Sequence, residues 1–140
     1  SQIPADRKLD GKYISRPALL DDGRIALFQG SNRWCSRCSL CTIDLNGHVI
    51  ESHTVPEGYS CCDCDTVEVS GRYIALCHKI SGGVTIYNQT DLSLVGQISD
   101  LELRQGSEVN PPADLLFISN EELFVGTWER LFLYRITPAY

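Results

Sequence analysis

The sequence predicts an all-β protein made of three four-stranded antiparallel meander repeats, the third of them incomplete. Three observations carry this. Short runs alternate apolar with polar or β-branched residues and close on Gly, Asn, Asp or Ser pairs, the pattern of strands joined by hairpins. No stretch of the 140 residues carries a convincing helical period. The same strand order returns at a nearly constant interval: aligned on their first turns, Gly23 and Gly71 are 48 residues apart and Gly71 and Asn120 are 49 apart.

The first repeat, residues 13–55, opens with strand, tight turn and strand across Ala18 to Phe28. A second hairpin follows from Cys41 to His53, with Asn46-Gly47 supplying the positive φ angles of a two-residue turn. The second repeat, 65–99, has Val67 to Ser70, Gly71 to Leu76, Val84 to Asn88 and Leu92 to Ile98. The third, 112–137, has Asp114 to Ser119, Leu123 to Thr127 and Leu131 to Ile136, and lacks its outer strand. A chain of 140 residues with 43% hydrophobic and 21% charged residues is one domain able to bury a core.

Four strands per unit at a fixed period near 48 is the signature of propeller blades; a plain β-sandwich is the alternative. Gly71-Arg72-Tyr73-Ile74-Ala75-Leu76, followed by Gly83-Val84-Thr85-Ile86-Tyr87-Asn88, resembles the WD-repeat-like and quinoprotein-like β-propeller superfamily. The resemblance runs from Tyr13 onward and is one of fold, since no Trp-Asp dipeptide or Gly-His pair stands at the expected places. It implies a partial β-propeller. Three blades leave open edges, so the expected partner is further chain, a partner protein or a second copy that completes the ring.

The net charge of −6 lacks the clustered Lys and Arg that nucleic acid or an anionic membrane requires. No apolar run reaches the length of a membrane span, so neither is expected as a partner, and the expectation is a soluble chain. Without any Met, the sequence reads as a processed product or part of a longer chain.

Seven cysteines are the feature with chemical content: Cys35, Cys38 and Cys41, then Cys61, Cys62 and Cys64, then Cys77 followed by His78. In a four-stranded meander these positions fall at one end of the first two repeats. A structural zinc held by Cys35, Cys38, Cys61 and Cys64 is one reading, because a C-x2-C pair has the bite of a tetrahedral site. Disulfides joining six of the seven, with Cys77 as a small buried hydrophobe, are the second. Free thiols are the third. Zinc places the protein inside the cell or out, and disulfides place it in an oxidising compartment. His78 is expected near the cysteine loops or solvated at a strand end. His48 and His53 point to opposite sides of one strand and share no site. Asn88-Gln89-Thr90 fits the N-glycosylation pattern on a surface hairpin.

Exposed Trp34 and Trp128, with Lys79, are the candidate partner-binding residues on the cysteine-bearing end. Asp21-Asp22 and Glu121-Glu122 fall in turns at the opposite end and read as solvated. No G-x-S-x-G, H-E-x-x-H, phosphate loop or Ca²⁺ loop is present, so no catalytic residues are assigned. The function expected is a non-enzymatic protein-interaction module. A secreted or cell-surface, disulfide-stapled β domain that recognises a protein or glycan is the alternative.

Overall fold

The computed structural model describes residues 17–30, 38–54, 66–78, 83–99, 102–103, 114–127 and 130–137. Among these are eleven strands: β1 (Ala18–Leu19), β2 (Ile25–Gly30), β3 (Cys38–Ile43), β4 (Val49–Thr54), β5 (Thr66–Val69), β6 (Tyr73–Cys77), β7 (Val84–Asn88), β8 (Leu94–Ile98), β9 (Asp114–Phe117), β10 (Glu122–Gly126) and β11 (Leu131–Arg135). They pair into three open antiparallel sheets in chain order: β1-β2-β3-β4, β5-β6-β7-β8 and β9-β10-β11. Every connection within a sheet joins antiparallel neighbours, which costs less closure entropy than a crossover.

The pairing registers make the repeat sharper than the turns do. Leu19 opposes Ile25, Val69 opposes Ile74 and Phe117 opposes Leu123, so Ile25, Ile74 and Leu123 are equivalent and recur every 49 residues. The turn-based alignment slips by one residue in the first repeat because Gly23 stands two residues before Ile25, whereas Gly71 and Asn120 stand three before Ile74 and Leu123. Leu20 to Arg24 closes by Leu20 N–H to Arg24 C=O (2.8 Å) and Gly23 N–H to Leu20 C=O (3.0 Å), whereas Ser70 N–H reaches Tyr73 C=O (2.9 Å) across two residues.

The Asn46-Gly47 turn also differs from expectation. Asp44 N–H bonds His48 C=O and Gly47 N–H bonds Asp44 C=O, giving a three-residue loop in which Gly47 alone has positive φ (83°). Asp44 Oδ1 accepts from the N–H groups of Asn46 (2.8 Å) and His48 (3.0 Å). That carboxylate holds the turn and leaves only the last position for glycine.

Because successive side chains alternate faces, each sheet has a rear face, carrying Ile25, Ile74 or Leu123, and a forward face. The forward face of the first sheet, with Ala26, Phe28 and Leu40, packs on the rear face of the second, with Val67, Ile74, Leu76 and Tyr87. The forward face of the second, with Tyr73, Ala75, Cys77, Val84, Ile86 and Ile98, packs on the rear face of the third, with Leu115, Leu123 and Val125. All three sheets therefore stack in the same sense. Their first strands adjoin, β5 lying between β1 and β9. Burial of each Leu, Ile or Phe contributes about 1.5–3 kcal/mol, so these two seams hold the sheets together.

Candidate interaction surface

The two seams share a polar fastening at the turn end. At the first seam, Asp21 N–H donates to Gln89 Oε1 (2.9 Å) and Arg24 Nη2 donates to the Gln89 carbonyl (2.7 Å). Gln89 Nε2 donates to the Ser70 carbonyl (2.5 Å), and Gln89 N–H to the Arg72 carbonyl (2.8 Å). Buried Gln89 thus uses all four polar groups to tie the first sheet's turn to two turns of the second. At the second seam, Gly71 N–H donates to Asn120 Oδ1 (2.9 Å), Ser70 Oγ donates to the Asn120 carbonyl (3.1 Å), and Arg72 Nη1 bonds Glu121 Oε1 (3.2 Å). Both seams pair a turn N–H with an amide oxygen of the next sheet, and add an arginine reaching forward. Asp21 and Asp22 are exposed, as solvated turns would be, with Asp22 bonding Arg24 Nε at 2.6 Å inside its own turn, while Glu121, half-buried, bonds Arg72 of the neighbouring sheet. Hydrogen bonding from the Arg24 backbone holds the Asp22 carboxyl below its ordinary range.

The forward face of the third sheet has no such cover among the described residues. Three rows cross it: Asp114, Gly126 and Leu131; Leu116, Phe124 and Leu133; and Ile118, Glu122 and Arg135. Leu116 is 57% exposed, Leu131 68% and Leu133 53%. Their equivalents in the second sheet include Val84 and Ile86, which are 0% and 5% exposed. Arg135 and Glu122 face each other at 3.6 Å on the same face.

At the opposite end, Gly30, Cys38 and Thr54 end strands of the first sheet, and Thr66 and Cys77 do so in the second. Cys35, Cys61, Cys64, Trp34, Lys79 and Trp128 lie outside the described residues, and of Cys38 only the backbone is described, paired with Gly30. Among the described residues no group of three or more His, Cys, Asp and Glu is placed to hold a metal.

Cys41 corrects the pairing of six cysteines. It is a free thiol, 3% exposed on the rear face of the first sheet, bonded to Ser52 Oγ (3.5 Å). Cys77 is fully buried in the second seam, as a small hydrophobe would be. His78 is not solvated. It is fully buried, with Nε2 2.9 Å from Thr85 Oγ1 and its ring edge-on to Phe28 at 5.7 Å. That ring contact makes His78 part of the seam between the first two sheets. His53 bonds Glu51 (2.9 Å) and His48 faces Asp44 (3.5 Å), on separate sites.

The Asn88-Gln89-Thr90 tripeptide lies in the β7–β8 hairpin, but its asparagine is half-buried and donates Nδ2 to Ser93 Oγ (3.0 Å). Beside it, an open groove of about 320 Å³ is lined by Arg72, Tyr73, Asn88, Leu94 and Thr137. Its charged residue, Arg72, engages Glu121 and lies over the Tyr73 ring at 5.7 Å. No described helix is long and apolar enough to cross a membrane.

Gln89 and Asn120 were not singled out from the sequence. The signal available was an amide next to a turn, which is too common to choose by. The chain matches no protein-family model and no curated protein.

Proposed function

We propose that the chain is a non-enzymatic protein-interaction module, three successive blades of a β-propeller whose open forward face docks on another protein surface. The observation that carries this reading is the directional stack. Two forward faces are covered by the next sheet, and the third presents Leu116, Leu131 and Leu133 to solvent. A cluster of this kind, rimmed by Asp114, Glu122 and Arg135, is the mark of an interface. Adjoining first strands and a sheet-to-sheet repeat of 49 residues favour the propeller over a two-sheet sandwich, which would pair faces once and then stop. The engaged amide of Asn88 favours this reading over a domain glycosylated at that hairpin.

The test places a photo-reactive phenylalanine analogue at Leu116 or Leu133 in cells, with Gln97, an exposed residue of β8 outside this face, as the control. Discrete protein adducts at Leu116 and Leu133 but not at Gln97 are expected. Equal labelling at all three, or none, would contradict the reading.

A further inference from the structure

We infer that Asn46 and Gly47, in the loop between β3 and β4, form a site of spontaneous covalent modification: the Gly47 nitrogen attacks the Asn46 side chain, at a rate the Asp44 carboxylate sets by holding the loop closed. This is independent of the interaction-module reading. The reaction needs an asparagine amide free to turn toward the next residue's nitrogen, and a next residue without a Cβ to obstruct the approach. Of the three asparagines among the described residues, Asn46 alone meets both conditions. It is exposed, no hydrogen bond among the described residues holds its side-chain amide, and Gly47 follows it. Asn88 donates Nδ2 to Ser93 Oγ and is followed by Gln89, while Asn120 accepts from Gly71 through Oδ1 and is followed by Glu121.

The step consumes water and nothing else. The Gly47 nitrogen gives its proton to hydroxide and bonds to Asn46 Cγ; the bond from Cγ to Nδ2 breaks, and Nδ2 takes a proton from water and leaves as ammonia. Water then opens the five-membered imide. Opening at Cγ leaves an aspartate. Opening at the main-chain carbonyl leaves isoaspartate, whose backbone runs through Cγ and is one carbon longer. Either product puts a carboxylate in a loop flanked by Leu45 and Val49, which are 69% and 56% exposed.

The closed loop opposes this step. Gly47 N–H donates to the Asp44 carbonyl (3.1 Å), which retains the proton that the nitrogen must lose. Asp44 Oδ1 accepts from the N–H groups of Asn46 and His48, and Asp44 N–H donates to the His48 carbonyl, so four hydrogen bonds fix the length of the loop. Two of the four end on one carboxylate oxygen, and bonds to a charged acceptor are the stronger kind. Backbone donation from His48, and then from Asn46, holds the Asp44 carboxyl below its ordinary range and keeps it charged at neutral pH. Conversion therefore waits on the opening of the loop. Isoaspartate, too long for the closed form, then unties it.

The test keeps the folded chain in mildly alkaline buffer, with the same chain in urea beside it, and digests samples over time. The mass gain of an amide-to-acid exchange in the peptide carrying Asn46, and isoaspartate assayed with an isoaspartyl methyltransferase, read the conversion. The folded chain should convert at Asn46, and more slowly than in urea. Asp44→Ala, its fold checked by far-ultraviolet circular dichroism, should convert at least about fivefold faster than wild type, the factor that corresponds to one hydrogen bond's net worth. Asp44→Ser, whose hydroxyl oxygen still accepts a hydrogen bond, should fall between the two, and it makes the comparison with wild type if Asp44→Ala loses the fold. Asn88 and Asn120 should keep their amides in the folded chain. An Asp44 variant no faster than wild type, a folded chain as fast as the chain in urea, or conversion at Asn88 or Asn120 ahead of Asn46 would overturn the inference.

Discussion

Gly71 gives its backbone N–H to Oδ1 of Asn120 at 2.9 Å, and a Cβ at Gly71 would stand 2.6 Å from that same oxygen. The bond exists because the residue has no side chain. Gly71→Ala should therefore displace the Asn120 amide and cost about 1–2 kcal/mol, the worth of a hydrogen bond and its desolvated partners. Asn120→Ala should cost a similar amount. In the Asn120→Ala background the clash is gone, so Gly71→Ala should add little there. Urea denaturation of the four-member cycle would show a coupling of about 1 kcal/mol, and strict additivity would place the two residues outside one interaction.

Gln89 serves the other seam through both side-chain groups. Gln89→Ala should lower stability by about 2–3 kcal/mol, because the Asp21 N–H and Ser70 carbonyl both lose a partner in a largely dry site. Gln89→Glu should be at least as harmful at neutral pH, since a carboxylate has no proton to offer the Ser70 carbonyl. Thermal melts of both variants check this, and a glutamate variant as stable as wild type would show that the Ser70 contact contributes nothing.

Thr42 is the converse case. It is fully buried on the forward face of the first sheet, and its Oγ1 has no hydrogen-bond partner among the described residues. A desolvated hydroxyl without a partner costs stability. Thr42→Val should be neutral or stabilising by about 1 kcal/mol. A loss of about 1 kcal/mol or more on denaturant titration would mean that the hydroxyl is satisfied.

The acid limb of stability should depend on turn carboxylates. Asp44 is lowered from 3.8, first by the backbone hydrogen bond from His48, against some desolvation, and then by that from Asn46. Asp91 is lowered from the same value by hydrogen bonds from the Ser93 side chain and backbone. A carboxyl whose folded pKa is depressed adds stability that is complete above its unfolded value and lost as pH falls through the folded one. Stability should therefore be flat in these groups well above pH 3.8 and decline as pH falls below it. Asp44→Asn and Asp91→Asn should each flatten that decline. A slope unchanged in the double variant, measured by urea midpoints against pH, would assign the acid limb to other groups.

How far the sequence reveals this molecule follows from which forces are local. The strands, their hairpins and the three-stranded third sheet are legible, because alternation and turn residues act over a few positions. One turn departs from that reading where a side chain intervenes: Asp44 makes a three-residue loop of an expected two-residue one. Leu92 shows the same limit. It holds a positive φ of 59° while fully buried in the first seam, and burial outweighs a backbone strain that its residue type would not suggest. His78, expected near the cysteine loops or solvated at a strand end, is buried inside the seam, against the first sheet's Phe28, which stands 50 positions earlier. The partnership of Gln89 with Asp21, across 68 positions, is likewise set by how sheets stack. The uncovered forward face becomes visible only once stacking has a direction.

That direction is the central claim, and the most direct measurement of it is a set of disulfide traps across the seams. Cysteine pairs at Ala18 with Val69 and at Glu68 with Phe117, on the adjoining first strands, join the forward face of one sheet to the rear face of the next, in a background where the native cysteines are replaced by serine or alanine. A pair at Glu68 with Leu116, on the same two strands, sets forward face against forward face as the control. The account predicts that oxidation closes the first two pairs and not the third, read by mass under denaturing conditions. Closure of the control pair with failure of the other two would contradict the directional stack.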